Sequence, residues 1–319
     1  MTSTSADRSA ALFTRYAGNP ILSPSRWPYT VNAVMNAGAA QVGDQTLLLC
    51  RVEDRRGMSH LTVARSDDGF SNWVVDAEPL LAPEAGVVRE QWGLEDARLT
   101  WSTELEAWAI AFTSFGPGGP SLSLATTTDF VTVERHGVVR PPEDKNGALL
   151  SRKVGGKYVL FHRPVTGHTQ RADIWLSRSS DLQTWSPSEP VMSAREGGFW
   201  DCARIGIGPP PLETPEGWLL IYHGVRQTVA GALYRAGLAL LDLDDPSKVI
   251  RRCAEWVLGP SEVYEQTGDV PGVVFPCGLL HDAELDRLRL YYGAADTCLA
   301  VATASYSEVL DFVLTHGEG

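Results

Sequence analysis

The chain has 319 residues, 27 Lys and Arg against 39 Asp and Glu, and a formal net charge of −12. That balance argues against nucleic acid and anionic membranes as partners, because either needs a basic face strong enough to outweigh the acidic background; a small anionic ligand stays open. No stretch is apolar for long enough to span a bilayer or act as a secretory signal, and Cys50, Cys202, Cys253, Cys277 and Cys298 show no CxxC spacing, so the expectation is a cytoplasmic protein with free, buried thiols.

Residues 1–15 are mostly small and polar without a period, and read as a flexible arm or a homo-oligomer contact; a single domain is expected over residues 16–319. Short apolar runs follow, among them AGAAQVG from Ala37, QTLLLCRV from Gln45, HLTVARS from His60 and AWAIAFTS from Ala107. Further runs are KYVLFHRP from Lys157, GWLLIYHGV from Gly217 and RLRLYYGAA from Arg287. Their lengths and their Gly, Pro, Asn and Asp boundaries predict strands. The final segment, SEVLDFVLTH from Ser307, reads as a short closing helix or a last strand. An apolar strand, a small residue, polar residues and an acid recur with Ala64, Ala125, Ser177, Ala239 and Ala302 in equivalent places. Steps of about 60 residues, each near a fifth of the chain, mean one supersecondary unit copied five times. The expected fold is therefore all-β, a five-bladed β-propeller of four-stranded blades with a central axial cavity.

Segments of high polar density lie between the repeats. CRVEDRRGMSHL, from Cys50, carries Arg51, Glu53, Asp54, Arg55, Arg56 and His60, as a solvated hairpin tip also would. Glu95 and Asp96 stand between Leu94 and Ala97 with Arg98 after them. A carboxyl there is either held protonated by apolar walls, ready to act as an acid, or engaged in an ion pair with Arg98. Lys145, Asn146 and Arg163 follow, then Asp201, Arg204 and His223. Arg163 and His223 end apolar strands and point into water or into a shared cavity; in a cavity, these cations and the imidazole suit phosphate. Asp296, in a Gly- and Ala-rich turn, is a turn former or a buried ligand group. Ten tryptophans are read first as packing, and no His, Cys or acid cluster has metal-ligand spacing.

The phrases NPIL, NAGAA, RVEDRRGMSHLTVARS, GLEDARLT, KYVLFHRP, WDCARIGIGPPP, GWLLIYHGV, GDVPGVVFPCG and LYYGAADTCLAVATA, spread from Asn19 to Phe312, resemble glycoside hydrolase family 130, the β-mannoside phosphorylases and their hydrolytic relatives. The resemblance implies inverting phosphorolysis of a β-mannoside, without metal or cofactor and with inorganic phosphate as co-substrate. It makes Asp96 the general acid, acting through the sugar 3-hydroxyl, and Lys145, Arg163, Arg204 and His223 the phosphate cradle. Asn36, Arg51, Asp54 and Asp296 match positions that touch the sugar. Three departures stand out: Arg204 where lysine is usual, Ala97 where proline follows the acid, and TSFGPGGP (from Thr113) in place of a segment richer in Tyr and His. The retained cations favour phosphorolysis over hydrolysis, which needs a second carboxylate to activate water. A non-catalytic sugar-binding propeller is the rival from another class.

Overall fold

The computed structural model describes residues 11–165 and 171–319. Its architecture is almost entirely β. After a two-residue strand β1 (Thr14–Arg15), the chain makes antiparallel meanders, the first from β2 (Ala33–Val42), β3 (Gln45–Glu53), β4 (Ser59–Ser66) and β5 (Val74–Val75). The second is β6 (Gly93–Ser102), β7 (Ala107–Gly116), β8 (Gly119–Thr127) and β9 (Glu134–Arg140). The third is β10 (Asp144–Leu149), β11 (Tyr158–Pro164), β12 (Ile174–Ser179) and β13 (Glu189–Met192). The fourth holds β14 (Arg204–Ile207), the short β15 (Leu212–Thr214), β16 (Gly217–Thr228), β17 (Gly231–Leu241) and β18 (Val249–Cys253). A one-turn helix α1 (Val263–Gln266) leads into the fifth, β19 (Val274–Asp282), β20 (Arg287–Ala294) and β21 (Cys298–Ser305). The closing segment is a helix, α2 (Tyr306–His316), with the Ser305 hydroxyl accepting the Glu308 N–H at its start; β22 (Gly317–Glu318) then pairs with β18.

The fourth strand of the fifth meander comes from the opposite end of the chain: β1 pairs with β21, Thr14 opposite Thr303 and Arg15 opposite Ala302. Phe13 is buried among Leu238, Leu290 and Val313, and Arg15 donates to Glu265 Oε1 at 2.7 Å. The reading of residues 1–15 as a flexible arm is thus corrected for 11–15, where a buried aromatic and a paired strand outweigh the polar composition; residues 1–10 and His168 lie outside the described residues.

Packing runs from each meander to the next. One apolar cluster joins the first two through Leu49, Leu61, Leu99 and Ile110, and another joins the second and third through Leu122, Leu124, Leu149 and Leu160. The third meets the fourth through Phe161, Leu176, Trp218 and Tyr222, and the fourth meets the fifth through Ile221, Leu238, Leu290 and Ala300. A fifth cluster takes Tyr291 and Val301 back to Val34 and Leu48 of the first meander. Strand pairing between meanders shrinks to single parallel bridges, such as Ser59 with Gly93, Ala172 with Arg204 and Tyr234 with Val273, so among the described residues no hydrogen-bonded ladder runs around the set. The cysteines are free thiols, all buried except the partly exposed Cys202. No helix among the described residues is long and apolar enough to cross a membrane.

Candidate active site

Four of the five meanders share, in their first strand, a local irregularity that aims its side chains. β2, β6, β10 and β19 each carry one extra residue relative to the second strand, between Met35 and Gly38, Glu95 and Arg98, Lys145 and Ala148, and Pro276 and Gly278. A bulge of this kind bends a strand and redirects a side chain. In three of them the bulged residue takes a left-handed conformation: Asn36 at φ +49°, Asp96 at +53° and Asn146 at +55°. Asn and Asp tolerate that region best after glycine, which explains these residue types here. The strands also approach closely, since a Cβ at Gly38 would lie 2.8 Å from the Ala97 carbonyl oxygen.

The bulges bring an acidic group together. Asn36 Nδ2 donates to Asp96 Oδ1 at 2.9 Å, and Arg51 Nη1 reaches the same oxygen at 3.3 Å. Arg51 Nη2 pairs with Glu95 Oε1 at 3.1 Å, while Lys145 Nζ holds the other Glu95 oxygen at 3.0 Å. Burial alone would push the Asp96 carboxyl up, but the Arg51, Arg98 and Lys145 charges and the Asn36 bond outweigh it and hold Asp96 below the ordinary aspartate range. Asp296 experiences the opposite balance. Burial, then the neighbouring Asp96 and Glu95 charges, raise it to about 6 despite Arg51.

Beside this group lies a cationic one. Arg98, only 1% exposed, donates to the Asp96 carbonyl at 2.6 Å and to the Gly208 and Ile207 carbonyls at 3.0 and 3.3 Å, so it ties the second meander to the fourth. Its charge lies near Phe275, whose ring packs at a tilt of 39° against the fully buried His223, centroids 4.5 Å apart. Arg204 Nη2 donates to Tyr234 Oη at 2.7 Å. Arg163 Nε, Arg204 Nε and both His223 ring nitrogens are buried without a hydrogen-bond partner, and neither Arg163 nor Arg204 has a carboxylate in salt-bridge range among the described residues. Burial and then the Arg204 charge lower Arg163 to about 10; burial and then Arg163 hold His223 well below the ordinary histidine range, hence neutral. Two half-buried guanidiniums of like charge with buried, unused Nε donors make an arrangement suited to an anion.

The sequence pattern described as β-1,4-mannooligosaccharide phosphorylase covers residues 21–315, nearly the whole chain. The chain belongs to glycoside hydrolase family 130. Within this family it is 36% identical to the β-1,4-mannooligosaccharide phosphorylase of Ruminococcus albus, over 95% of this chain and 91% of that protein. It is 37% identical to a β-1,2-mannobiose phosphorylase of Thermoanaerobacter sp., over 93% and 98%. The β-1,2-mannobiose phosphorylase of Listeria innocua, solved with β-1,2-mannobiose, superposes with a TM-score of 0.86 at 30% identity, over 95% of this chain and 99% of that one.

On this family 130 scaffold most of the residues singled out from sequence meet. Asn36, Arg51, Asp96, Lys145 and Asp296 fall in the acidic group, and Arg163, Arg204 and His223 in the cationic one. Asp54 stands apart: its carboxylate accepts from the backbone N–H groups of Arg56 and Met58 and pairs with the Arg56 guanidinium at 2.7 Å, within its own hairpin turn. Both sequence readings of Asp96 need correction. Its walls are charged rather than apolar, and Arg98 bonds its carbonyl, not its carboxylate. Lys145 also differs from a free phosphate ligand, being paired to Glu95. Sequence reasoning missed Arg98 as a buried tie, Tyr234 and Phe275 as the walls of the cationic group, and the bulges. The last did leave a signal: Asn or Asp followed by a small residue, in Asn36-Ala37, Asp96-Ala97 and Asn146-Gly147.

Proposed function

We propose that this chain cleaves a β-mannoside with inorganic phosphate, inverting the anomeric centre and releasing α-mannose 1-phosphate. It is thereby a phosphorylase of glycosyltransferase type, transferring a mannosyl group to phosphate with no metal or cofactor, in the cytoplasm. The observation that carries the reading is the cationic group: Arg163, Arg204 and His223 hold buried polar nitrogens without a partner among the described residues, around Arg98, which bonds the Asp96 carbonyl. A phosphate dianion satisfies those donors and offsets both guanidinium charges. It also weakens the positive potential that keeps Asp96 ionised, and so moves that carboxyl toward the protonated form a general acid requires. Phosphate is an ionised nucleophile and needs no base. A hydrolase needs a second carboxylate to activate water; Glu95 is occupied on both oxygens by Arg51 and Lys145. Asn36, Arg51 and Asp296, around Asp96, and Asp54 at the hairpin turn are assigned to the sugar.

The five meanders are read as blades of one propeller with this group on its axis. What supports that is the cyclic order of the apolar clusters and the strand β1 that completes the last meander. The test is incubation of the purified protein with β-1,4-mannobiose, β-1,2-mannobiose and mannosyl-glucose, with and without phosphate. Mannose 1-phosphate should form from at least one of them, and only with phosphate. Free mannose released equally fast without phosphate overturns the reading in favour of hydrolysis; no product in either case favours a binding protein.

A further inference from the structure

The third meander carries a polar chain that the site described so far does not use. It contributes one residue from each strand or its approach: Asp144 in β10, His162 in β11, Ser177 in β12 and Ser188 just before β13. Asp144 Oδ2 lies 2.7 Å from His162 Nδ1, His162 Nε2 lies 3.2 Å from Ser177 Oγ, and Ser177 Oγ lies 3.4 Å from Ser188 Oγ. Arg140 of β9, in the second meander, donates to Ser188 Oγ at 2.5 Å and anchors the outer end. Asp144, His162 and Ser177 are each at most 3% exposed. Residues of these types in this order also make nucleophilic triads, but Ser177 is fully buried with its hydroxyl between His162 and Ser188, out of reach of a substrate.

The inner end of the chain reaches the cations. Lys145 and Arg163 are direct cross-strand partners, and Asp144 stands opposite Pro164. Like charges directly opposite destabilise a strand pair, and proline cannot donate to the ladder. The bulge at Asn146 and Gly147 interrupts pairing on the other side. The point where β10 and β11 hold two cations side by side is therefore short of ladder pairing. Asp144 Oδ1 accepts the Arg163 backbone N–H there, at 3.1 Å.

We propose that Asp144, oriented by His162 and Ser177, is a positioning residue for phosphate: it fixes the backbone of Arg163 opposite Lys145 so that both cations keep their spacing. The assignment rests on the phosphorolysis reading above. Outer hydrogen-bond partners of metal ligands change affinity or activity by about 10- to 100-fold, and the same scale is taken here for a phosphate-binding arginine. Asp144→Ala is accordingly expected to raise the KM for phosphate about tenfold or more, with the mannoside KM moving by less than about twofold. Asp144→Asn keeps an acceptor for the Arg163 N–H and should recover most of the loss, as should His162→Asn, which keeps a donor near the Nδ1 position. If Asp144→Ala does not fold, His162→Ala, which leaves Asp144 in place without its orienting partner, is expected to show the same phosphate-selective effect. Equal effects on both KM values, no effect, or loss of fold in both alanine variants overturns the assignment. In those cases the phosphorolysis reading stands as long as the wild-type protein requires phosphate. A wild-type protein that turns over without phosphate removes both.

Discussion

Asp296→Asn separates what Asp296 costs the fold from what it does for the sugar. The raised value of about 6, against 3.8 for an ordinary aspartate, means that ionising this carboxyl is harder in the folded protein than in the unfolded chain. A group raised on folding contributes stability that is fully present below its unfolded value and lost as pH rises through its folded value. The loss therefore spans about pH 4 to 6, and at 1.36 kcal/mol per factor of ten it is on the order of 3 kcal/mol above that window and about half a kcal/mol at pH 4. Asparagine keeps the shape, tolerates the left-handed backbone at φ +49° and carries no charge beside Asp96 and Glu95. Urea unfolding at pH 7.5 and at pH 4 should show the variant more stable than wild type by on the order of 3 kcal/mol at the higher pH and nearly equal at the lower. An equal difference at both pH values, or a variant less stable at pH 7.5, would refute the argument that Asp296 is penalised by burial and by its acidic neighbours.

Three other outcomes follow from the same geometry. Asp96→Asn preserves the bulge and removes the proton donor; turnover on a mannobiose with phosphate should fall by about 10²- to 10⁴-fold, and near wild-type activity would place the acid elsewhere. Arg204→Ala removes a charge-assisted contact and should raise the phosphate KM about tenfold or more while sparing the mannoside KM, a split read directly from initial rates. Gly293→Ala would put a Cβ 1.9 Å from Asn36 Oδ1, forcing that side chain off Asp96. The lost bond to a carboxylate, worth roughly 1.5–3 kcal/mol, should lower turnover about 10- to 100-fold with a Tm drop from overpacking; unchanged turnover would show that Asn36 does not hold Asp96.

Strand positions were legible because alternating apolar runs and turn residues act locally, and the fivefold phrase around Ala64, Ala125, Ser177, Ala239 and Ala302 revealed the copied unit. Most of the site residues were legible as charges at strand ends. Their partners were not. Nothing local distinguishes Arg98, which is buried and bonds three carbonyls, from the exposed Arg56, because the difference lies in what the fold brings opposite each. The same limit explains why sequence leaves Asp96 between apolar walls and an ion pair with Arg98: Leu94 and Ala97 lie near it in the chain, but the charges of Arg51 and Lys145 act on it in space. Phe13 was lost in a polar stretch because its pocket is made by residues far along the chain.

The pairing of β1 with β21 also sets an order of events. During synthesis β1 emerges long before its partner β21, and Arg15 waits for Glu265, 250 positions later, for its carboxylate. Successive meanders can pack as they leave the ribosome, each on the one before, while the segment around Phe13 stays unpaired with an aromatic side chain uncovered. The pairing of β1 with β21 is thus a long-range contact whose entropic cost comes after the meanders between them have formed. Growth conditions and fusion partners at the N-terminus should accordingly change the yield of folded protein more than its stability once folded.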